Sequence, residues 1–296
     1  MSTYVADTLE LLQVGFVHNS LIAAALLGII AGIISPFIVM RQMSFTVHGT
    51  SELALMGASA ALLLGVSVSA GAMLGSVLIA LVLAALSMRG GKDAVVGVVL
   101  SFGMGLSVLF IHLYPGRTST AFALLTGQIV GLTSASLWIM AAVAVIVVAG
   151  VLWQWRPLLF ASADPVMAAA CGVNVRAMAL YFAVITGLVA AQGVQIVGSL
   201  LLIAMVITPG AAAAYVTAHP VKAVALSIVF AEVAAVGGII LSLAPGVPVS
   251  VFITALSFAI YLGCRVIGTI RNRAATPDSD RAARWSRSNS ARSNSA

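Results

Sequence analysis

The stretch RQMSFTVHGTSELALMGASAALLLG, residues 41–65, decides how this chain is to be read. Arg41 stands at its start, and from Phe45 to Gly65 apolar and small residues dominate over a length close to the ~20 residues that a transmembrane helix needs. Two ionisable groups interrupt the run, His48 and Glu52. Charges at the centre of such a helix cost roughly 3 kcal/mol on insertion scales, so an ionisable residue at membrane depth is a functional hypothesis by default. Residues four apart lie one turn apart on one helix face, and an imidazole and a carboxylate so placed can converge on one ion. Imidazole suits zinc, manganese or iron better than calcium or magnesium, and the carboxylate supplies charge that offsets dehydration. The same spacing also fits a hydrogen bond between His48 and Glu52 near the mouth of the span, and spacing alone leaves both readings open.

Outward from this stretch the chain has the composition of a bilayer protein. Of 296 residues 61% are hydrophobic and 7% charged, against about 25% charged in a soluble domain. Apolar stretches cover residues 16–40, 46–65, 67–88, 93–113, 136–154, 177–198, 199–217, 221–242 and 248–267. They predict an all-α polytopic membrane protein of about nine transmembrane helices, with eight to ten also fitting because the Gly-rich piece Phe122 to Leu132 reads as a re-entrant segment or half of a broken helix. Arg41, Arg89 with Lys92, Arg156 with Arg176, Lys222 and the Arg-rich tail cluster on one side of this topology, which the positive-inside rule makes cytoplasmic. The net charge of +6 therefore reports topology and implies no nucleic-acid partner.

Residues 1–270 form one transmembrane domain on this reading, and residues 271–296, rich in Arg, Ser and Asn, a disordered basic cytoplasmic tail. Small residues crowd the spans, as in Gly28-x-x-x-Gly32, Gly71-x-x-x-Gly75 and Gly237-Gly238, and predict close helix packing. Cys171 and Cys264 have no metal-ligand spacing and predict no disulfide. The N-terminus lacks the pattern of a cleaved secretory signal, so the first apolar stretch is expected to remain as a span.

Besides Glu52, Glu232 is the other acidic residue within an apolar run. A zinc site takes about four ligands, and Glu232 is the candidate third; a buried hydrogen bond to a neighbouring helix explains it equally well. Gln128, Gln192 and Gln195 read as interhelical glue, and His18, His112 and His219 as interfacial residues at span ends. There is no Walker A sequence, no His-Glu-x-x-His and no Gly-x-Ser-x-Gly elbow, which argues against ATP use by this chain itself and against an enzyme.

Three segments carry a resemblance to the zinc/manganese/iron ABC-transporter permeases. Residues 41–65 resemble that family's pattern of a basic residue and Met-Ser before Gly-Asp-Ala-x-Ser-His-Ala and a downstream Pro-Gly. Met43, Ser44, Ser51 and Gly57 match, whereas His48 stands at the family's Asp position, Glu52 at its His position and Met56 at its Pro position. Carboxylate and imidazole have exchanged places with the spacing kept. FASADPVMAAACGVNVRAMAL, residues 160–180, is similar to the family's cytoplasmic coupling loop through Asp164, Pro165, Gly172, Val173, Val175 and Arg176. GVQIVGSLLLIAMVITPGAAAAYVT, residues 193–217, resembles a third family segment, in which Pro209 should interrupt the helix.

The resemblance reaches from about Ser20 to Ile267. It implies the membrane subunit of an ATP-driven importer in a bacterial inner membrane, with zinc or manganese as substrate and no bound cofactor. It further implies a homodimer, a cytoplasmic ATPase subunit that uses the ATP, and an extracytoplasmic metal-binding protein. The metal ligands carried over are His48 and Glu52, and residues 160–180 would form the short helix that enters a groove of the ATPase. Two rivals remain at this point: a permease for a chelated metal such as a siderophore, which His48 and Glu52 oppose, and a proton-coupled secondary transporter using Glu52 and Glu232.

Overall fold

The nine apolar stretches correspond to nine long helices in a computed structural model that describes residues 15–87, 92–116, 133–243 and 249–275. These are α1 (Gly15–Met40), α2 (Ser44–Leu63), α3 (Val68–Ser87), α4 (Lys92–Leu113), α5 (Ser134–Trp153), α8 (Val175–Val197), α9 (Ser199–Val216), α10 (Pro220–Leu243) and α11 (Val249–Ala275). Two short helices, α6 (Trp155–Ala163) and α7 (Pro165–Ala170), join α5 to α8. No strand occurs among the described residues. The backbone of a membrane-spanning segment must satisfy its own hydrogen bonds, which a helix does.

Seven of the nine are long and apolar enough to cross a membrane; α2 and α9 are not. In α2 the reason is composition, since Ser44, Thr46, His48, Thr50, Ser51 and Glu52 occupy its first half. Thr50 Oγ1 and Ser51 Oγ return their hydrogens to the helix, to the carbonyls of Thr46 and His48. Thr50, Ser51 and Glu52 are buried inside the bundle, so these polar groups do not face lipid. In α9 the apolar part is short, Leu201–Val216.

α1 and α8 form the centre, with 67% and 61% of their spans buried against 17% in α4. Ile30, Ile34 and Phe37 of α1 meet Val147 of α5, Phe182 and Val189 of α8 and Leu202 and Met205 of α9 in one apolar core. Small residues set the helix contacts, as the sequence predicts. A Cβ on Gly32 would fall 2.5 Å from Ile228 Cα, and one on Gly238 would fall 2.9 Å from Ile253 N, so α10 lies directly on the backbones of α1 and α11.

Pro209 does not interrupt α9, contrary to the sequence expectation. Ser35 of α1 explains the difference: its hydroxyl accepts from Gly210 N at 2.7 Å and donates to Ile207 O at 3.3 Å. A neighbouring hydroxyl thereby serves backbone groups beside the proline, a recognised way for a membrane helix to tolerate it. α11 also continues five residues beyond the expected domain limit, to Ala275, and Arg271 Nη1 donates to Val216 O at the end of α9. The rest of the expected tail, the segment Phe122 to Leu132 with Gln128, and Arg89 and Arg117 lie outside the described residues.

Candidate metal centre and coupling helix

α2 is held at backbone distance by its neighbours. Gly57 packs on Gly71 and Gly75 of α3, Leu53 on Gly103 of α4, and a Cβ on Gly49 would sit 3.1 Å from Val96. That packing fixes where His48 and Glu52 stand. Glu52 is 3% exposed, and His48 is half-buried with Phe45 beside it, ring centroids 6.4 Å apart. His48 Nδ1 is buried and has no hydrogen-bond partner. Of the two readings left open by spacing, a hydrogen bond from Nδ1 to Glu52 is therefore absent, and a nitrogen lone pair or N–H is left without a protein partner. Buried polar atoms are nearly always paired, so Nδ1 is available to a partner from outside the chain.

Glu232 is not brought to this pair. It lies on α10, where its carboxylate packs on Gly28 of α1, with Oε1 2.6 Å from where a Cβ would stand. α10 joins the bundle through α1, α9 and α11, and the Gly28-x-x-x-Gly32 face receives Ile228 and Glu232 together. The expected third ligand is thus placed by helix packing away from α2. No group of three or more His, Cys, Asp or Glu able to hold a metal occurs among the described residues. Glu232 Oε1 is itself buried without a partner.

The glutamines divide. Gln195 is interhelical glue as predicted, accepting from Ser69 Oγ at 2.6 Å and donating to Ala191 O at 3.1 Å. Gln192 is 3% exposed and its Nε2 has no partner. His18, His112 and His219 are exposed and need no further explanation.

The loop resembling a coupling element forms the short helix α7. Asp164 Oδ1 accepts from Val166 N at 3.1 Å and Met167 N at 2.9 Å, and Pro165 occupies the first turn, where its missing N–H costs nothing. The helix ends as Val173 N donates to Ala168 O and Gly172 N to Ala169 O, with Gly172 at φ +85°. This is the Schellman stop, which needs a left-handed residue. Val166 is 77% and Met167 55% exposed, so α7 presents apolar side chains outward. Arg176 is exposed one residue into α8.

Arg41 ties this region to α2, which sequence reasoning did not foresee. Its Nε–H donates to Ser162 Oγ on α6 at 2.7 Å, and its guanidinium carbon lies 4.9 Å from the Phe182 ring centroid on α8. Burial pushes the guanidinium down to about 10, still charged at neutral pH. The next residue, Gln42, is left-handed at φ +55° and closes α1 with bonds from Gln42 N to Val39 O and Met43 N to Ile38 O. α2 therefore begins two residues after a turn that Arg41 fastens to α6 and α8.

The model of the ABC 3 transport family matches residues 13–267. The chain belongs to the ABC-3 transport family. It is accordingly a multi-pass transport subunit of a bacterial inner membrane and not an enzyme. This permease is 30% identical to the manganese transport system membrane protein MntC of Halalkalibacterium halodurans, over 79% of this chain and 80% of that one. It is 32% identical to the manganese import system permease protein ScaB of Streptococcus parasanguinis, over 74% and 78%. Among solved structures, PsaBC from Streptococcus pneumoniae in complex with Fab superposes with a TM-score of 0.80 at 26% identity, covering 88% of this permease and 95% of that chain.

Proposed function

We propose that this permease is the membrane-spanning subunit of an ATP-driven importer of a divalent transition metal, manganese before zinc, and that His48 and Glu52 bind the ion in transit. The observation that carries the reading is the buried, unpartnered Nδ1 of His48 one turn from the buried carboxylate of Glu52. A carboxylate suits manganese and an imidazole suits manganese or zinc, and relatives covering most of the chain carry manganese transport in their names. Two ligands from one chain are too few for a tight site.

An extracytoplasmic binding protein delivers the ion, and the cytoplasmic ATPase takes α7 in a groove through Val166 and Met167. Because Glu52 is closed from solvent here, ion entry requires the helices around α2 to part. ATP-driven movement of α7 reaches α2 through α6, Arg41 and the Gln42 turn.

The test is uptake of radioactive manganese and zinc into proteoliposomes carrying this permease with its ATPase, ATP inside and binding protein outside. ATP-dependent accumulation is expected, abolished by Glu52→Ala and reduced at least tenfold by His48→Ala with assembly intact, the ~1.4 kcal/mol equivalent of losing one ligand contact or more. Unchanged uptake in both variants removes the pair from the path. Uptake that ignores ATP and collapses with a proton gradient overturns the importer itself.

A further inference from the structure

α5 ends at Trp153 and α10 begins at Pro220, and these two span ends stand on either side of an open groove of about 640 Å³. That volume is within the ~300–1,000 Å³ of small-molecule sites. Trp153, Trp155 and Arg156 of the α5–α6 corner form one wall, and Val221, Val224 and Ile228 of α10 form the other. Both helices pack on α1, so the groove opens away from the centre of the bundle. Its depth is set by the spans themselves: every wall residue lies within about two turns of a span end, at the boundary between acyl chains and headgroups.

The walls are apolar and conspicuously uncovered. Leu152 is 64%, Trp153 84% and Val221 55% exposed. Tryptophan at this depth is the usual residue of a membrane interface. The chemistry then changes over a short distance. Arg156 lines the groove, Lys222 follows Val221 beside the wall and is exposed, and no acidic residue lines the walls. The first turn of α10 adds the partial positive charge of a helix N-terminus on the same side. The proposed transport path runs through α6 but gives the side chains of Trp155 and Arg156 no role.

We infer that this groove is a binding site for an anionic glycerophospholipid of the surrounding leaflet, its acyl chain lying between α5 and α10 and its phosphate held by Arg156 and Lys222. An apolar slot with Arg156 in its wall and Lys222 beside it fits that ligand class and fits a zwitterionic lipid less well, because the choline charge offsets the phosphate. A soluble anion has no use for the tryptophan and valine walls. The site borders α6, which leads into α7, so an occupied groove stiffens the corner through which the ATPase acts.

The experiment uses the full-length permease purified in mild detergent and incubated with an equimolar mixture of phosphatidylglycerol and phosphatidylcholine of matched chains, with retained lipid read by native mass spectrometry. One phosphatidylglycerol per chain is expected, preferred by about fivefold for each cation, the ~1 kcal/mol that a basic residue near the surface is worth. Arg156→Gln with Lys222→Gln should bring the preference close to unity. Val224→Trp, which fills the groove and leaves every charge in place, should remove the retained lipid while the basic tail keeps its own attraction. Equal retention of the two lipids overturns the assignment, as does retention untouched by Val224→Trp. Cross-linking of Trp153→Cys to a second copy, with no lipid retained, would give the groove to a subunit interface and overturn it equally.

Discussion

Replacing Gly75 by alanine adds one methyl group where α3 packs directly on the backbone of α2. Its Cβ would stand 2.9 Å from Gly57 Cα and 3.1 Å from Leu53 O, where ordinary contact begins near 3.4 Å. Both obstacles are backbone, so no rotamer change relieves them and α3 must retreat from α2 by roughly 0.5 Å along the contact. A gap of ~0.5–1 Å forfeits a quarter to a half of a dispersion contact, and overpacking against an unyielding neighbour costs about 1–3 kcal/mol. Taking ~2 kcal/mol and ~2–4 °C per kcal/mol for a chain of this size, the apparent melting temperature should fall by about 4–8 °C. Gly105→Ala is the control, because nothing lies within 4 Å of its added Cβ, and alanine there should leave the helix unchanged or up to ~1 kcal/mol better. Both variants are melted in the same detergent at one scan rate, since unfolding of such proteins is often irreversible. Equal melting temperatures for the two would refute the claim that backbone contact pins α2. Metal uptake should also fall in Gly75→Ala, although His48 and Glu52 are untouched.

Asp164→Ala removes the acceptor for two N–H groups of a six-residue helix, a loss of about 1 kcal/mol for a cap. Co-purification with the ATPase should weaken severalfold while the melting temperature of the permease barely moves, and a stoichiometric complex would contradict a docking role for α7. Gln42→Gly relieves the left-handed strain between α1 and α2, worth ~1 kcal/mol. The variant should melt about 2–4 °C higher, and a lower value would mean that the Gln42 side chain stabilises the turn by more than the backbone strain costs.

The helices and their nature were legible in the sequence because hydropathy is a local property: nine apolar stretches became nine long helices, nearly at the predicted limits. The capping of α7 was equally local, with Asp164, Pro165 and Gly172 each acting on atoms a few residues away. His48 and Glu52 stand out as candidates for the same reason, their spacing placing them one turn apart on one helix.

What lies between helices was decided only by the tertiary structure. Glu232 had the chemistry of a ligand, but the glycines of α1 draw α10 to a place where its carboxylate faces Gly28 and not α2. Pro209 predicts a break by its own chemistry, and Ser35, 175 residues before Gly210, removes the need for one. Arg41 reads in the sequence as a topology signal, yet its guanidinium lies between Ser162 and Phe182. Sequence fixes what each helix is made of through contacts within a turn or two. Which atoms meet across helices depends on where two small residues let backbones approach, and that depends on every other helix in the bundle.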